Sequence, residues 1–280
     1  MNLNEQKKPK VSVGLPVYNG ESFIRTSIES LLAQTFTDFE LIISDNASSD
    51  GTEAICLELA GTDSRIRYFR QNNNLGMFPN FKYTRDKARC EFFMWLSADD
   101  HLHPEFLRFH VAVLKELSDV GLVYSGAITK NLLNGDEDQS MSGFTTVKNK
   151  FLRVLFRLTN PVPTMIYGLY RKSIIDKIEI KEFDYWDVYL GLWFELNSKI
   201  AVIPMNLHYI GVNGVRIPYS VTGQFINAKT YLMEASKLFK ANLRIVHVFI
   251  LNCINFYLIF KTTKRHNRVI KKELITAQKV

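Results

Sequence analysis

The sequence contains few cysteines, and none of them follows a spacing typical of a metal site. The three cysteines, Cys56, Cys90 and Cys253, are scattered over 280 residues, which argues against a disulfide framework. The N-terminal segment 1–10 is polar and lacks the apolar core of a secretory signal. We therefore expect a chain that works in a reducing compartment, the cytoplasm.

The body of the chain has little net charge, and the excess of basic residues is concentrated in its tail. Of the net charge of +7, residues 261–280 contribute +6, from seven Lys or Arg and one Glu. A nucleic-acid-binding protein more often carries its basic residues across a folded face, so we expect no nucleic-acid partner. A basic tail that follows an apolar helix instead favours an anionic membrane surface.

Low-complexity tracts and internal repeats are absent, and short apolar runs alternate with amphipathic segments up to residue 117. The predicted strands lie at 11–16, 39–44, 66–69 and 91–96, and the predicted helices at 21–34, 50–60, 80–89 and 104–117. This alternation predicts βαβ units and a mostly parallel α/β sheet. Right-handed crossovers then bring the carboxyl ends of the strands to one edge of the sheet.

The pattern changes in the second part of the chain. The predicted strands lie at 120–128, 165–171 and 199–204, the helices at 151–158 and 185–197, and a polar loop at 131–138. A stretch with three glycines and a proline at 211–223 is the nearest thing to a boundary. We therefore predict one domain over residues 1–223 and a separate helical segment over residues 224–280.

Two adjacent carboxylates, Asp99 and Asp100, follow an apolar run that is typical of a buried strand. They fall at the carboxyl end of that strand, where open α/β sheets bind their ligands. Because adjacent acids repel, a divalent cation that carries substrate phosphates would offset their charge. The alternative is an acidic turn that also caps the following helix.

Polar residues that suit a nucleotide follow the other predicted strands. The positions considered for nucleotide binding are Pro16, Val17, Tyr18, Asn19, Asp45, Asn46, Asn74, Gly76 and Asp99. Tyr18 could stack on a base, and Asp45 or Asn46 could read its polar edge. Each segment alone is also a common turn, because Asn, Asp, Ser and Gly favour turns for backbone reasons.

Together, in this order, the motifs resemble those of the inverting family-2 glycosyltransferases with the GT-A fold. The matching segments are 16–20 (Pro-Val-Tyr-Asn-Gly), 34–43, 45–52 (Asp-Asn-Ala-Ser-Ser-Asp-Gly-Thr), 74–76 (Asn-Leu-Gly) and 98–100 (Ala-Asp-Asp). The resemblance implies a Rossmann-like, mostly parallel sheet flanked by helices, followed here by a C-terminal helical extension. It assigns residues 9–125 to nucleotide-sugar binding and 126–223 to the acceptor side.

The resemblance also implies a nucleotide-diphosphate sugar donor, a UDP-sugar first of all, and a Mn²⁺ or Mg²⁺ ion. The family's D-x-D signature is altered here, because Ser97 stands at its first position. The metal is therefore expected on Asp99 and Asp100, one of which would hold the ribose or a metal-bound water. The family's base-binding acid maps to Asp45 or Asn46. His208 is a candidate third metal ligand or diphosphate contact, or else a histidine satisfied within the fold.

The family places its catalytic base near the start of a late helix. Asp184 and Asp187 lie in that region, although the family's usual Glu-Asp pair is missing. We expect Asp187 to be the base and Asp184 to be the second candidate, because a positioned carboxylate can take the proton of an attacking hydroxyl. The alternative is a capping Asp184 and an Asp187 favoured by the helix dipole. Trp186 and Tyr189 share a helix face, which fits a sugar platform or a core stripe.

Residues 225–260 contain no helix breaker and form an amphipathic helical pattern. The densest apolar part, residues 245–260, would be about 24 Å long, short of the roughly 30 Å of a bilayer core. We expect this segment to lie at the inner face of the cell membrane as a peripheral anchor. The alternative is a helix that packs on the domain or on a sister subunit of a homo-oligomer.

The expected activity is sugar transfer to a hydroxyl of a growing surface or lipid-linked glycan. A non-catalytic nucleotide-sugar or glycan-binding module is the alternative, with Ser97 and the missing Glu-Asp pair as signs of decay. A nucleotidyltransferase is less favoured, because it usually needs a basic loop after the first strand, and residues 17–21 contain no Lys or Arg.

Overall fold

The computed structural model of the chain describes residues 9–131, 137–140, 162–180, 182 and 186–212. The helix expected at 151–158, Asp184 and the C-terminal segment 224–280 lie outside these ranges. The division into a domain and a C-terminal segment therefore stays a prediction.

The first part of the chain folds as four parallel strands connected by helices. These elements are β1 (Val11–Val17), α1 (Ile24–Leu32), β2 (Phe39–Asp45), α2 (Thr52–Thr62), β3 (Ile66–Arg70), α3 (Met77–Lys87) and β4 (Phe92–Trp95). The strands pair in the order β3-β2-β1-β4, which confirms the predicted parallel sheet. Helix α3 begins earlier than predicted and includes Pro79 in its first turn. Proline is accepted there, because the N–H groups of the first turn have no partner within the helix.

The second part adds strands that run in both directions. Its elements are β5 (His101–Leu102), α4 (Phe106–Glu116), β6 (Val120–Asn131), β7 (Glu137–Ser140), a 3-10 helix (Pro163–Tyr167), β8 (Leu169–Arg171), α5 (Lys172–Ile175), α6 (Trp186–Asn197) and β9 (Lys199–Val212). Strand β8 pairs antiparallel with β4 and β6, and β6 runs parallel to β9. Strand β5 pairs antiparallel with β9 and ends the path β3-β2-β1-β4-β8-β6-β9-β5. Most of the paired residues in this mixed sheet belong to parallel strands, as predicted.

Three local predictions in the second part are wrong. The strand predicted at 165–171 is a 3-10 helix followed by a short strand, because the Tyr170 hydroxyl binds the carbonyl groups of Met165 and Ile166 and holds that turn. The loop predicted at 131–138 includes part of β7, which pairs with β6 through backbone groups. The strand predicted to end at Pro204 continues to residue 212, because Pro204 falls at a register shift between β6 and β9 and needs no ladder partner.

Side chains that alternate along the central strands build one apolar layer on each face of the sheet. In β4, Phe92 and Met94 join the layer with α1, α2 and α4, whereas Trp95 joins the layer with α3 and α6. Trp186 and Tyr189 are buried in this second layer, so the aromatic face of α6 is a core stripe and not a sugar platform. With both faces covered, the strand ends and their loops form the edge where polar side chains gather.

Candidate active site

The loops after β1 and β2 are tied to each other at the carboxyl edge of the sheet. Pro16 and Val17 end β1, and the Asn19 N–H group that follows donates to Ser48 Oγ at 2.9 Å. Asn19 adopts a φ of 51°, a conformation that Asn tolerates better than most residues. Tyr18, between them, exposes 51% of its surface. The predicted nucleotide residues of β1 therefore lie on a braced loop with an exposed aromatic ring.

Asp45, the last residue of β2, is fully buried, and its carboxylate accepts three hydrogen bonds. The Tyr68 hydroxyl and the Arg70 guanidinium each donate to Oδ2 at 2.7 Å, and the Ser48 N–H group donates to Oδ1 at 2.8 Å. Burial and the Asp45 carboxylate raise the pKa of Tyr68, so this hydroxyl stays protonated and remains a donor. Because Asp45 has no exposed surface, these three donors enclose its carboxylate, and the structure leaves no open acceptor position for a base. Base reading by Asp45 stays a prediction.

Asn46 anchors the loop that leads into α3. Its side-chain amide donates to Asn74 Oδ1 at 2.8 Å and to the Gly76 carbonyl at 3.1 Å, while its Oδ1 accepts from the Leu75 N–H group at 2.8 Å. Gly76 has a φ of 87°, which favours glycine at this position. The structure thus brings Asn46, Asn74 and Gly76 together, with the Asn46 side chain bonded to the loop.

Asp100 and His208 form a buried pair beside these loops. Asp100 Oδ2 lies 2.9 Å from His208 Nε2, and Asp100 Oδ1 accepts from the Gly211 N–H group at 3.0 Å. The pairing of β5 with β9 brings the two residues together, because Leu102 is the register partner of His208. Asp100 Oδ2 and His208 Nε2 are not aligned for a hydrogen bond, so both are buried polar atoms without a hydrogen-bond partner in the described ranges. Buried atoms of this kind suit a bound ion.

Asp99 lies next to this pair and is half-buried. The Ser97 hydroxyl donates to Asp99 Oδ1. Burial, followed by the Asp100 carboxylate, raises the pKa of Asp99 above its usual value. A raised pKa means that the ionised form of Asp99 lacks sufficient compensation from the protein, which a cation would supply.

The donor atoms at this position fit a divalent metal in chemistry, although the protein supplies only part of a ligand set. Asp99, Asp100 and His208 offer carboxylate oxygens and one imidazole nitrogen, which Mn²⁺ accepts. Across the described residues, however, no three His, Cys, Asp or Glu side chains are placed so that together they could hold a metal ion, and this applies to Asp99, Asp100 and His208 as a set. An ion here would take its remaining ligands from substrate phosphates and water, as Mg²⁺ does in other phosphate sites.

Asp187 lies in the first turn of α6. Its charge, together with those of Asp100 and Asp99, contributes to the raised pKa of Tyr167, and burial is the largest cause. The Tyr167 ring stands 5.2 Å from the His208 ring in an edge-to-face arrangement. The Asp187 charge therefore acts on the same tyrosine whose ring contacts His208. Asp184 lies outside the described residues, and the choice of base stays a prediction.

Tyr167 is the residue of this site that the sequence reasoning missed. The apolar stretch around it predicts a strand, and nothing in its spacing points to the distant residue His208, whose ring it contacts.

Comparison with known proteins identifies the family. The profile of glycosyl transferase family 2 matches residues 12–179, more than half of the chain. An uncharacterized glycosyltransferase of Rickettsia typhi is 34% identical over 119 residues, which are 42% of this chain and 36% of that protein. The GalNAc(5)-diNAcBac-PP-undecaprenol beta-1,3-glucosyltransferase of Campylobacter jejuni is 27% identical over 194 residues, 68% of this chain and 60% of that protein. The chain thus matches about a third of the first relative's length.

Solved structures share the fold. S. aureus TarS (residues 1–349) in complex with UDP-GlcNAc has a TM-score of 0.65 and 20% identity, over 89% of this chain and 71% of that chain. The mannosyltransferase PcManGT of Pyrobaculum calidifontis, in complex with GDP-Man and Mn²⁺, has a TM-score of 0.57 and 14% identity, over 92% of this chain and 76% of that chain. These likenesses confirm the fold predicted from the motifs.

Within the ranges that the structure describes, no helix has both the length and the apolar character needed to cross a bilayer. The match to the family profile, the named relatives and the shared architecture agree with one another. The chain therefore belongs to glycosyl transferase family 2 and is a glycosyltransferase with the GT-A fold.

Proposed function

We propose that the protein is an inverting, metal-dependent glycosyltransferase that moves a sugar from a nucleotide-diphosphate sugar to a hydroxyl of a surface or lipid-linked glycan. The observation that carries the proposal is the buried Asp100–His208 pair, with Asp99 beside it, at the carboxyl edge of the sheet. Open α/β sheets bind ligands at this edge, and buried carboxylates there suit an ion that grips a diphosphate.

The donor nucleotide is proposed to bind over the loops after β1 and β2. Tyr18 offers an exposed ring for the base. Asp45 is proposed to accept from a base N–H group, such as that of uracil, once donor binding opens the side chains that enclose it. A UDP-sugar is the first choice, because the TarS structure contains UDP-GlcNAc. A GDP-sugar is the second, because the mannosyltransferase structure contains GDP-Man.

Asp99, Asp100 and His208 would hold the metal ion. The ion would neutralise the negative charge that develops on the leaving diphosphate. Mn²⁺ is favoured over Mg²⁺, because Mg²⁺ prefers oxygen ligands in a strict octahedron, and His208 contributes nitrogen. The presence of Mn²⁺ in the mannosyltransferase structure supports the same choice.

Asp187 is proposed to take the proton of the acceptor hydroxyl as that hydroxyl attacks the sugar carbon. A carboxylate in the first turn of a helix is stabilised in its ionised form by the helix dipole, as a general base requires. Its proximity to Tyr167 and Tyr170, whose pKa values its charge helps to raise, supports a place beside the metal side chains. Asp184 is the second candidate.

A lipid-linked acceptor is proposed from the name of the Campylobacter jejuni relative, which acts on a polyprenyl-diphosphate glycan. The basic segment 224–280 would hold the protein at the inner, anionic face of the cell membrane, where such acceptors are presented. A homo-oligomer that uses this segment is the alternative arrangement.

The experiment that tests the function has two stages. Thermal unfolding is measured with a panel of UDP- and GDP-sugars in the presence of Mn²⁺, and the donor with the largest shift is then tested for release of its nucleotide. We expect release with Mn²⁺, none in EDTA and recovery on addition of metal. Full activity in EDTA would refute the metal role. Donor binding without release, with water or any glycan acceptor, would favour the binding module.

A further inference from the structure

Asn80, near the start of helix α3, is a polar side chain with only 3% of its surface exposed. Its Oδ1 accepts from the Ser44 hydroxyl of β2 at 2.6 Å, and its Nδ2 donates to the Ser44 carbonyl at 3.0 Å. A longer contact of 3.5 Å joins Nδ2 to the Val17 carbonyl of β1. Burying an amide costs free energy unless its hydrogen bonds are made, so these partners explain why a polar residue is accepted here.

The orientation of the Asn80 amide is fixed by a chain of side chains. Gln71, which follows β3, donates from Nε2 to Ser44 Oγ at 3.0 Å. A serine hydroxyl has one proton, and the proton of Ser44 is directed to Asn80 Oδ1. The amide nitrogen of Asn80 is then left to face the two strand carbonyls. The side chains of Gln71, Ser44 and Asn80, called here the strand-end link, therefore join the ends of β1, β2 and β3 to α3.

The two carbonyl groups that Asn80 contacts lie directly before residues proposed to meet the base of the donor. The Val17 carbonyl belongs to the peptide unit that leads into Tyr18, and the Ser44 carbonyl belongs to the one that leads into Asp45. A peptide unit is planar, so a bond that holds its oxygen also fixes the direction in which the chain enters the next residue. The strand-end link therefore acts on the backbone from which both side chains depart.

The start of α3 is also held by the loop that precedes it. The Asn46 side chain makes three hydrogen bonds to residues 74–76, and this loop leads directly into α3. Asn46 and Asn80 thus fasten the start of α3 to the end of β2 at two points. The loops after β1, β2 and β3 are consequently connected to one another through this helix.

We propose that Asn80 is a positioning residue for the donor nucleotide, and that the strand-end link holds Tyr18 and Asp45 at the separation and angle that base binding requires. Asn80 itself is buried and is not expected to touch the nucleotide. The inference rests on the proposed function, because it takes the loops after β1 and β2 as the nucleotide site. It requires no change of protonation and no metal ligand.

The rest of α3 packs on the sheet independently of Asn80. Thr84, one turn further along the helix, is fully buried against β1, since a Cβ added at Gly14 would lie 2.7 Å from Thr84 Cβ. The Trp95 indole N–H group of β4 donates to the Phe81 carbonyl and to Thr84 Oγ1, each at 3.1 Å. These contacts remain when Asn80 is changed, so the change should act mainly at the strand ends.

The test compares Asn80→Ala with Thr84→Ala in the full chain. Both changes truncate a buried, hydrogen-bonded side chain of α3, but only the first releases the strand ends. Thermal unfolding measures stability, and calorimetric titration with UDP, with Mn²⁺ present and well below the unfolding transition, measures Kd. One hydrogen bond typically changes an equilibrium constant by about 2- to 12-fold. Because UDP must then order the strand ends itself, we expect Kd to rise about 10-fold in Asn80→Ala. Thr84→Ala should lose stability and keep the Kd of the unchanged protein.

A purely structural role for Asn80 would lower the unfolding temperature and leave Kd unchanged, and that result overturns the inference while the proposed function stands. If Asn80→Ala does not fold, Ser44→Ala decides the question, because it removes the hydroxyl that orients the amide and keeps both strand carbonyls. We expect about a threefold rise in Kd from Ser44→Ala, and an unchanged Kd overturns the inference. GDP replaces UDP if the unchanged protein binds GDP alone. If it binds neither nucleotide, the proposed function and this inference fail together.

Discussion

Replacing Asp100 with asparagine should separate ion binding from stability. The Asp100 carboxylate helps to raise the pKa of Asp99, so neutralising it removes a repulsion. The amide that replaces it still accepts from the Gly211 N–H group and places a neutral group beside His208 Nε2. In EDTA we therefore expect the free energy of unfolding to stay the same or to rise. With Mn²⁺ present, the variant should gain nothing, because a ligand has been lost.

The size of the expected difference follows from binding linkage. An ion at 100 times its dissociation constant stabilises the folded state by about 2.7 kcal/mol. For a domain of roughly 200 residues, 1 kcal/mol corresponds to about 2–4 °C in Tm. The unchanged protein should therefore gain on the order of 5–10 °C from Mn²⁺, and Asp100→Asn should gain almost none.

The assay is thermal unfolding in EDTA and across a Mn²⁺ titration. Asp119→Asn is the matched control, because it makes the same chemical change at an exposed acid that pairs with Lys199. An exposed pair of this kind contributes about 0–1 kcal/mol, so the control should keep the full Mn²⁺ shift. The reasoning is refuted if Asp100→Asn keeps that shift, or if it loses more than about 2 kcal/mol in EDTA, a loss typical of a broken buried network.

Three other predictions test separate parts of the molecule. Asp187→Asn should cut turnover by about 10²–10⁴-fold with donor binding retained. Steady-state kinetics of this variant and of Asp184→Asn test the prediction, and full turnover in both variants would mean that the base lies elsewhere. Burial raises the pKa of Glu40, but hydrogen bonds from Ser12 and Arg67 outweigh it and hold the pKa below 4.5. Its contribution is therefore present above pH 4.5 and lost as the pH falls through the folded value, so urea unfolding should show Glu40→Gln destabilising at neutral pH and less so in acid. Deletion from residue 244 onward should release the protein from anionic vesicles while donor hydrolysis continues. Co-sedimentation with vesicles at low and high salt measures this binding. The prediction is wrong if the full chain does not bind such vesicles.

The first part of the fold could be predicted because its signals are local. β1, β2 and β4 are short, mostly apolar runs followed by polar turn residues, so Asp45, Asp99 and Asp100 were correctly placed at or just after strand ends. The prediction of strand ends failed where the backbone does not follow the pattern of apolar and polar side chains. Pro204 looks like the end of a strand, but a register shift carries β9 past it.

The contacts that complete the site depend on pairings between distant segments. His208 could be proposed from its residue type, but its partner Asp100 follows from the two-residue strand β5, which is too short to show any periodicity. Tyr167 depends on a 3-10 turn that the apolar pattern around it predicts as a strand. Sequence patterns report which face of an element is buried, and they do not report which distant element lies against it.

The pairing of β5 with β9 also sets an order in which the enzyme can be assembled. Asp100 and Gly211, whose hydrogen bond joins the two strands, are 111 positions apart in the chain. Contacts of such separation carry a large loop-closure cost and tend to form late in folding. We expect a growing polypeptide to form the β1–β4 sheet before synthesis reaches His208. Donor cleavage would then begin only after β9 docks, so an unfinished chain would not consume activated sugar.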